Sequence, residues 1–225
     1  MEDATTPFWK IDGEKLLGSN GEVLDIWPEP FWYLAPSRTK YERGEGRVRP
    51  LEFASVLHNA SIGHGLVTSL EVLLSGIEPK PNKGGAAADA EWLLEDVRAN
   101  EFPEKPSRLR AYFLNHDRGL AELRARDMFR DARQISLCRL IRNGGRYHFA
   151  DVGLYEQLEG RPDDRALARR YWSNFVPTDP QQQRRLEVLA DSALYFPEWK
   201  TFPQLDHDSL LNWMHDNPPP SPANG

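Results

Sequence analysis

Apolar residues recur along this chain in short runs of two different periods, and the period sorts them into helices and strands. Leu66, Leu70, Leu73 and Leu74 stand at helical spacing and predict a helix over 66–75, with Gly76 placed to close it in a left-handed conformation. A second helix is predicted over 89–100, capped by Asp89, with Trp92, Leu93 and Val97 turned inward. A third, over 119–133, carries Leu120, Leu123, Met128 and Phe129 as its apolar positions. A fourth, over 161–175, is charged outside and brings Tyr171-Trp172 to the core near its end. Short apolar runs predict strands at 53–58, 109–114, 135–141, 147–152, 186–190 and 192–196, and Asn143-Gly144-Gly145 joins the third and fourth of these as a hairpin. Nearer the N-terminus, 22–27 and 30–34 read as strand-like pieces parted by Pro28, which cannot continue a central strand. The sum is an α+β fold with a mostly antiparallel sheet and flanking helices.

Composition divides the chain. Residues 1–50 mix aromatics with prolines and glycines and read as an N-terminal extension or flap ending in a basic loop with Arg43, Arg47 and Arg49. Residues 51–200 form the domain, with 80–88 as a surface loop whose Gly84-Gly85 lacks the lysine and hydroxyl residue of a phosphate loop. Residues 201–225 form a tail, expected to be disordered from 217 onward because Pro218-Pro219-Pro220 and its neighbours have nothing to pack. A chain of 225 residues buries one proper core. The net charge of -6 argues against an obligate nucleic-acid binder. A single cysteine, Cys138, excludes an internal disulfide framework, and the lack of closely spaced Cys/His pairs argues against a zinc or other metal site. No apolar run approaches the roughly 20 residues of a membrane span, and Met1 to Pro7 opens nothing like a signal peptide. The expected location is cytoplasmic, or exported without a cleaved signal, with no membrane partner.

The densest chemistry lies in Glu101-Phe-Pro-Glu-Lys-Pro-Ser107-Arg108-Leu-Arg110-Ala-Tyr112-Phe113. A helix halts before Pro103, turns through Lys105-Pro106 and restarts as a strand, so a serine, two arginines and a tyrosine gather at one strand entrance. Arginine there can fork onto phosphate or carboxylate, serine can hydrogen-bond a ribose or amide, and tyrosine can stack on a flat ring. The plainer reading is a joint whose arginines pair with nearby acids. His64 and His116 fall in turns, and Asp206-His207-Asp208 are adjacent side chains that do not converge. No Gly-x-Ser-x-Gly elbow is present, which removes the usual hydrolase reading.

Over residues 53–196 the chain resembles a bacterial domain family of unassigned function. The resemblance is carried by Val97-Arg98, Phe102-Pro103, Pro106-Ser107-Arg108 and Tyr112-Phe113, then Ala121, Leu137, Ala150-Asp151, Tyr171-Trp172 and Glu187. That family is similar to the ADP-ribosyltransferases, whose split sheet binds NAD between a His or Arg on one strand, a Ser, Thr or Tyr on a second and an acid on a later one. The resemblance puts His58 at the first position, the Ser107/Tyr112 segment at the second and the catalytic acid at Glu187. Ser61 supplies the hydroxyl that follows the histidine, one position late, and Arg108 or Arg110 would take the NAD pyrophosphate. Arg185 stands where enzymes that modify arginine carry a second acid, so that target class is not implied. The implied activity is transfer of ADP-ribose from NAD to a macromolecule, a protein more than a nucleic acid, as in a toxin or effector. The alternatives are an inactive protein-binding module of the same fold, and an enzyme of this fold acting on nucleic acid.

Overall fold

The computed structural model describes residues 9–36, 56, 58–75, 79, 81, 85–129, 133–173 and 185–202. The basic loop, most of the strand expected at 53–58 and the tail beyond Phe202 lie outside the described residues. Among the described residues ten strands form two sheets. β1 (Trp9–Asp12), β2 (Lys15–Gly18) and β3 (Val23–Asp25) make a three-stranded antiparallel meander. Glycines take the turns, Gly13 at φ 57° and Gly21 at φ 85°, where a side chain would be strained. This small sheet is tied to the body by Asp25 N–H on Asn143 Oδ1 at 2.6 Å and by a bridge between Ile26 and Ile141.

The larger sheet has seven strands. In chain order they are β4 (Phe31–Pro36), β5 (Leu66–Val67), β6 (Tyr112–Asn115), β7 (Arg133–Leu140), β8 (Arg146–Asp151), β9 (Leu186–Asp191) and β10 (Leu194–Tyr195). Their spatial order is β5-β10-β7-β4-β6-β9-β8, and every neighbouring pair is antiparallel. Helices among the described residues include α1 (Leu70–Leu73), α2 (Ala86–Glu101), α3 (Arg118–Phe129), α4 (Val152–Glu159) and α5 (Arg165–Trp172). Acidic or hydroxyl caps start several of them, because a side-chain oxygen satisfies an amide that the first turn leaves unpaired. Asp117 accepts from Leu120 N–H at 2.8 Å, Asp151 from Gly153 N–H at 2.7 Å and Asp164 from Leu167 N–H at 3.0 Å.

Strand alternation sends successive residues to opposite faces of the sheet. One face carries Phe31, Tyr33, Tyr112, Leu114, Cys138, Leu140, Val188 and Ala190, buried against Val56, Ala60 and α1. On the other face Leu189 and Ala150 lie under α2, α4 and α5, while Leu34, Trp32 and Ile135 lie under α3. Each fully buried side chain of this size contributes about 1.5–3 kcal/mol, so both layers are needed.

Several expectations change. Helix α2 starts at Ala86 behind Gly85 rather than from an Asp89 cap, and its Trp92, expected inward, is exposed. Residues 30–34, assigned to a flap, belong to β4 in the middle of the large sheet, hydrogen-bonded to β7 on one side and β6 on the other. Pro28 and Pro36 bracket that strand without interrupting its ladder. The region 53–58 is not a strand where it is described: residues 58–62 are helical, so His58 stands on a helix. The expected helix 66–75 is divided, because Leu66–Val67 pair with β10 and only Ser69, whose Oγ accepts from Val72 N–H at 3.4 Å, starts a helix.

Gly65 makes that division feasible. It sits at φ 96°, and a Cβ there would lie 2.6 Å from Phe196 O and 2.7 Å from Trp199 Cδ1. Gly65→Ala therefore costs about 1–3 kcal/mol of stability, read from urea denaturation. A variant as stable as the parent would show that the turn relaxes without cost.

Candidate functional site

The joint between α2 and β6 is a self-locking corner. Glu95 receives three bonds from Arg98 at 2.7–3.2 Å and one from Ser107 Oγ at 2.9 Å. Arg98 Nη1 also donates to Lys105 O at 3.2 Å, and Ser107 Oγ accepts from Leu109 N–H at 3.2 Å. The Phe-Pro, Pro-Ser-Arg pattern is thereby explained: it fixes the angle at which the chain enters β6, and Ser107 is spent on that task. Its result is to drive Arg108 inward.

Arg108 is 5% exposed. Its Nη1 donates to Glu187 Oε1 and to Tyr171 Oη, the latter at 2.6 Å, and Tyr171 Oη donates to the same Glu187 Oε1 at 2.7 Å. Its Nε lies 3.7 Å from Glu91 Oε1 in an ion pair without hydrogen-bond geometry. Aromatic rings wall the guanidinium, with centroids at 4.2 Å for Tyr155, 4.8 Å for Phe113 and 5.5 Å for Tyr171. Burial alone would lower the Arg108 pKa, but Glu187, then Tyr171 and Glu91, more than reverse it and hold the cation firmly. Burial pushes the Tyr171 phenol well above its ordinary value, so it stays a neutral donor. Both bonds to Glu187 converge on Oε1; among the described residues its Oε2 accepts none.

The other candidate residues divide by face. Strand pairing sets Phe113 opposite Leu189 and Tyr112 opposite Ala190, so Phe113 shares the Glu187 face and Tyr112 points to the other. Tyr112 donates to Thr68 O at 2.7 Å and meets Tyr33 edge-on at 5.9 Å. Arg110 lies 3.9 Å from Glu71 of α1. His58 and Ser61 are half-buried in the helical segment on that same side. Ser107, Arg108 and Glu187 therefore come together; His58, Ser61, Arg110 and Tyr112 do not join them. Arg108 is also committed to Glu187 and Glu91 and walled by aromatic rings.

Sequence reasoning missed Glu91, Tyr155, Tyr171 and Arg124. Glu91 had a signal: it falls between Ala90 and Leu94 on the buried stripe of α2, and at 1% exposure it needs a cation. Arg124 of α3 donates to Asn115 Oδ1 at 2.7 Å and to Leu186 O at 3.0 Å, over the ends of β6 and β9. His148, also buried, donates from Nε2 to Tyr171 O at 2.9 Å and steadies the end of α5. A surface depression of about 420 Å³ is lined by Glu14, Lys15, Asp25, Arg142 and Asn143, none of them in this cluster. Among the described residues no helix is long and apolar enough to cross a membrane.

No curated protein matches this chain. Residues 83–194, which run from α2 to the first residue of β10 and contain the whole Arg108–Glu187 cluster, are similar to a family described as protein of unknown function (DUF2441).

Proposed function

We propose that this chain is an NAD-dependent ADP-ribosyltransferase in which Glu187 is the catalytic acid and a protein is the acceptor. The observation that supports this reading is the asymmetry of the Glu187 carboxylate. Oε1 is held by Arg108 and Tyr171, whereas Oε2 carries no bond among the described residues. A carboxylate fixed through one oxygen presents the other without reorganisation, in the form that best accepts a ribose hydroxyl. That bond stabilises the positive charge that grows on the nicotinamide ribose as the glycosidic C–N bond breaks. The bonding pair leaves with neutral nicotinamide, the acceptor nucleophile forms the new bond, and its proton passes to solvent. The order β4-β6-β9 also supports the reading, since it sets side by side three strands, the last carrying the acid. Phe113 replaces Tyr112 as the ring on the acid's face, and β4 carries neither His nor Arg.

The test is release of nicotinamide from NAD, followed chromatographically. Glu187→Gln keeps the size of the side chain and lowers the rate by about 100-fold or more, the usual loss when a transition-state contact is removed. Thermal melting of both proteins separates this from unfolding. Equal rates, or a folded parent that releases no nicotinamide, would reject the proposal.

A second reading has its own observation. Glu187 is only 5% exposed and already paired, as in a domain that keeps the fold without the chemistry and binds a protein partner. Titration calorimetry that shows no heat with millimolar NAD supports this binding module instead.

A further inference from the structure

An arginine that leaves water needs a counter-charge, and most in this fold have one beside them. Arg98, Arg108 and Arg110 each meet a carboxylate. Arg124 is the exception in the cluster. Its two bonds go to neutral oxygens, Asn115 Oδ1 and the Leu186 carbonyl, and it forms no ion pair among the described residues. Asn115 is itself 2% exposed, and it is anchored by its own donor, Nδ2, on Trp32 O at 3.3 Å. The guanidinium is therefore held from behind by fixed, uncharged partners, with its charge unspent. It has five N–H donors and uses two nitrogens in these bonds.

Position adds the second half of the argument. Arg124 grips the carbonyl of the residue immediately before Glu187, so cation and acid are neighbours at the same end of β9. Burial lowers the Arg124 pKa, Glu187 and then Glu156 raise it, and Arg108 lowers it again. A hydroxyl acceptor next to an unspent guanidinium is the pairing that a ribose and its phosphate require, since a guanidinium takes two phosphate oxygens at once.

We infer that Arg124 is the anchor for a phosphate-bearing ligand bound over the ends of β6 and β9, beside Glu187. Its identity as the NAD pyrophosphate rests on the function proposed above, and it moves that role from Arg108 and Arg110 to a residue of α3.

His116, next to Asn115, provides a readout besides activity. Burial holds its pKa below the ordinary value; Asp117 opposes this and the Arg124 charge adds to it. An anion that neutralises Arg124 removes part of that depression, so the His116 pKa rises.

The experiment titrates ADP-ribose, inorganic pyrophosphate and adenosine into the parent, Arg124→Gln and Arg124→Lys by calorimetry. Proton NMR of His116 is recorded with and without pyrophosphate, and thermal melts check each fold. The site predicts ADP-ribose binding to the parent, weakened roughly tenfold or more in Arg124→Gln as a charged hydrogen bond is lost. Arg124→Lys falls between the two, and adenosine binding does not change. The parent also shows the rise in His116 pKa with pyrophosphate, which stands even if a variant fails to fold. Unchanged ADP-ribose affinity in folded Arg124→Gln overturns the inference, and so does a parent that binds neither ADP-ribose nor pyrophosphate. The two proposals fail separately. Pyrophosphate binding through Arg124 without nicotinamide release keeps the site and rejects the transferase. Nicotinamide release with Arg124→Gln binding ADP-ribose like the parent does the reverse.

Discussion

Arg108→Met lowers the free energy of unfolding by about 3–5 kcal/mol, the cost of stripping the partner from buried charges. Two carboxylates meet this guanidinium, Glu187 by a direct hydrogen bond and Glu91 by an ion pair, and they come from different elements, β9 and α2. Methionine fills the aromatic slot between Phe113 and Tyr155 but offers neither acid a proton. The loss is a large share of a domain's usual stability of 5–15 kcal/mol. Chemical denaturation followed by far-UV circular dichroism measures it. Combining Arg108→Met with Glu187→Leu recovers part of the loss, because the second change removes one stranded charge. A single variant within about 1 kcal/mol of the parent would show that the acids find another cation or water.

Trp172→Ala has a comparable effect for a different reason, about 3–5 kcal/mol from lost volume. Trp172 is fully buried, donates from Nε1 to Leu94 O at 2.8 Å and meets Tyr171 edge-on with ring centroids 4.9 Å apart. It thus clamps α5 to α2 just beneath the residue that positions Glu187. Trp172→Phe restores most of the volume without the hydrogen bond, so its difference from the parent reads the bond at about 1 kcal/mol and its difference from Trp172→Ala reads the volume. Trp92→Ala serves as the comparison: at 45% exposure it should change the denaturation midpoint little. A Trp172→Ala protein that unfolds like Trp92→Ala would place the clamp elsewhere.

Elements whose signals are local were legible. Helix α2 ends at Glu101, two residues before Pro103, as the restriction on residues preceding proline requires. The turn after β7 falls at Gly144 with φ 67°, where the sequence offered Asn143-Gly144-Gly145, but the hairpin expected there does not form: β7 pairs with β4 and β10, and β8 with β9. Features that depend on which strands meet were not legible. Tyr112 and Glu187 look like partners along the chain, yet one step of register decides whether they share a face, and only the pairing of Phe113 with Leu189 fixes it. Residues 30–34 read as a piece of a flap because Pro28 precedes them; the central place of β4 comes from partners about 80 and 100 residues downstream, which local pattern cannot encode. Within the cluster, Arg108 and Glu187 were found and the bond between them was not. Tyr171 looked like packing alone, because an aromatic on an amphipathic stripe does not reveal what its hydroxyl reaches.

The position of β4 governs how the molecule comes into being on the ribosome. Its two partners are β6 and β7, so the first strand of the large sheet to emerge has no ladder to join until residue 115 has been made, and its longer ladder waits for residue 140. Before residue 115 Phe31, Tyr33 and Leu34 have no mate, an interval in which a nascent chain is open to chaperones and to aggregation. The same geometry dictates where the gene can be cut. A fragment bounded by the family match at 83–194 contains the acid, its arginine and its tyrosine, but it lacks the strand that joins β6 to β7. Such a fragment would leave two half-sheets with raw inner edges, and expression should begin at or before Trp9 to yield a folded protein.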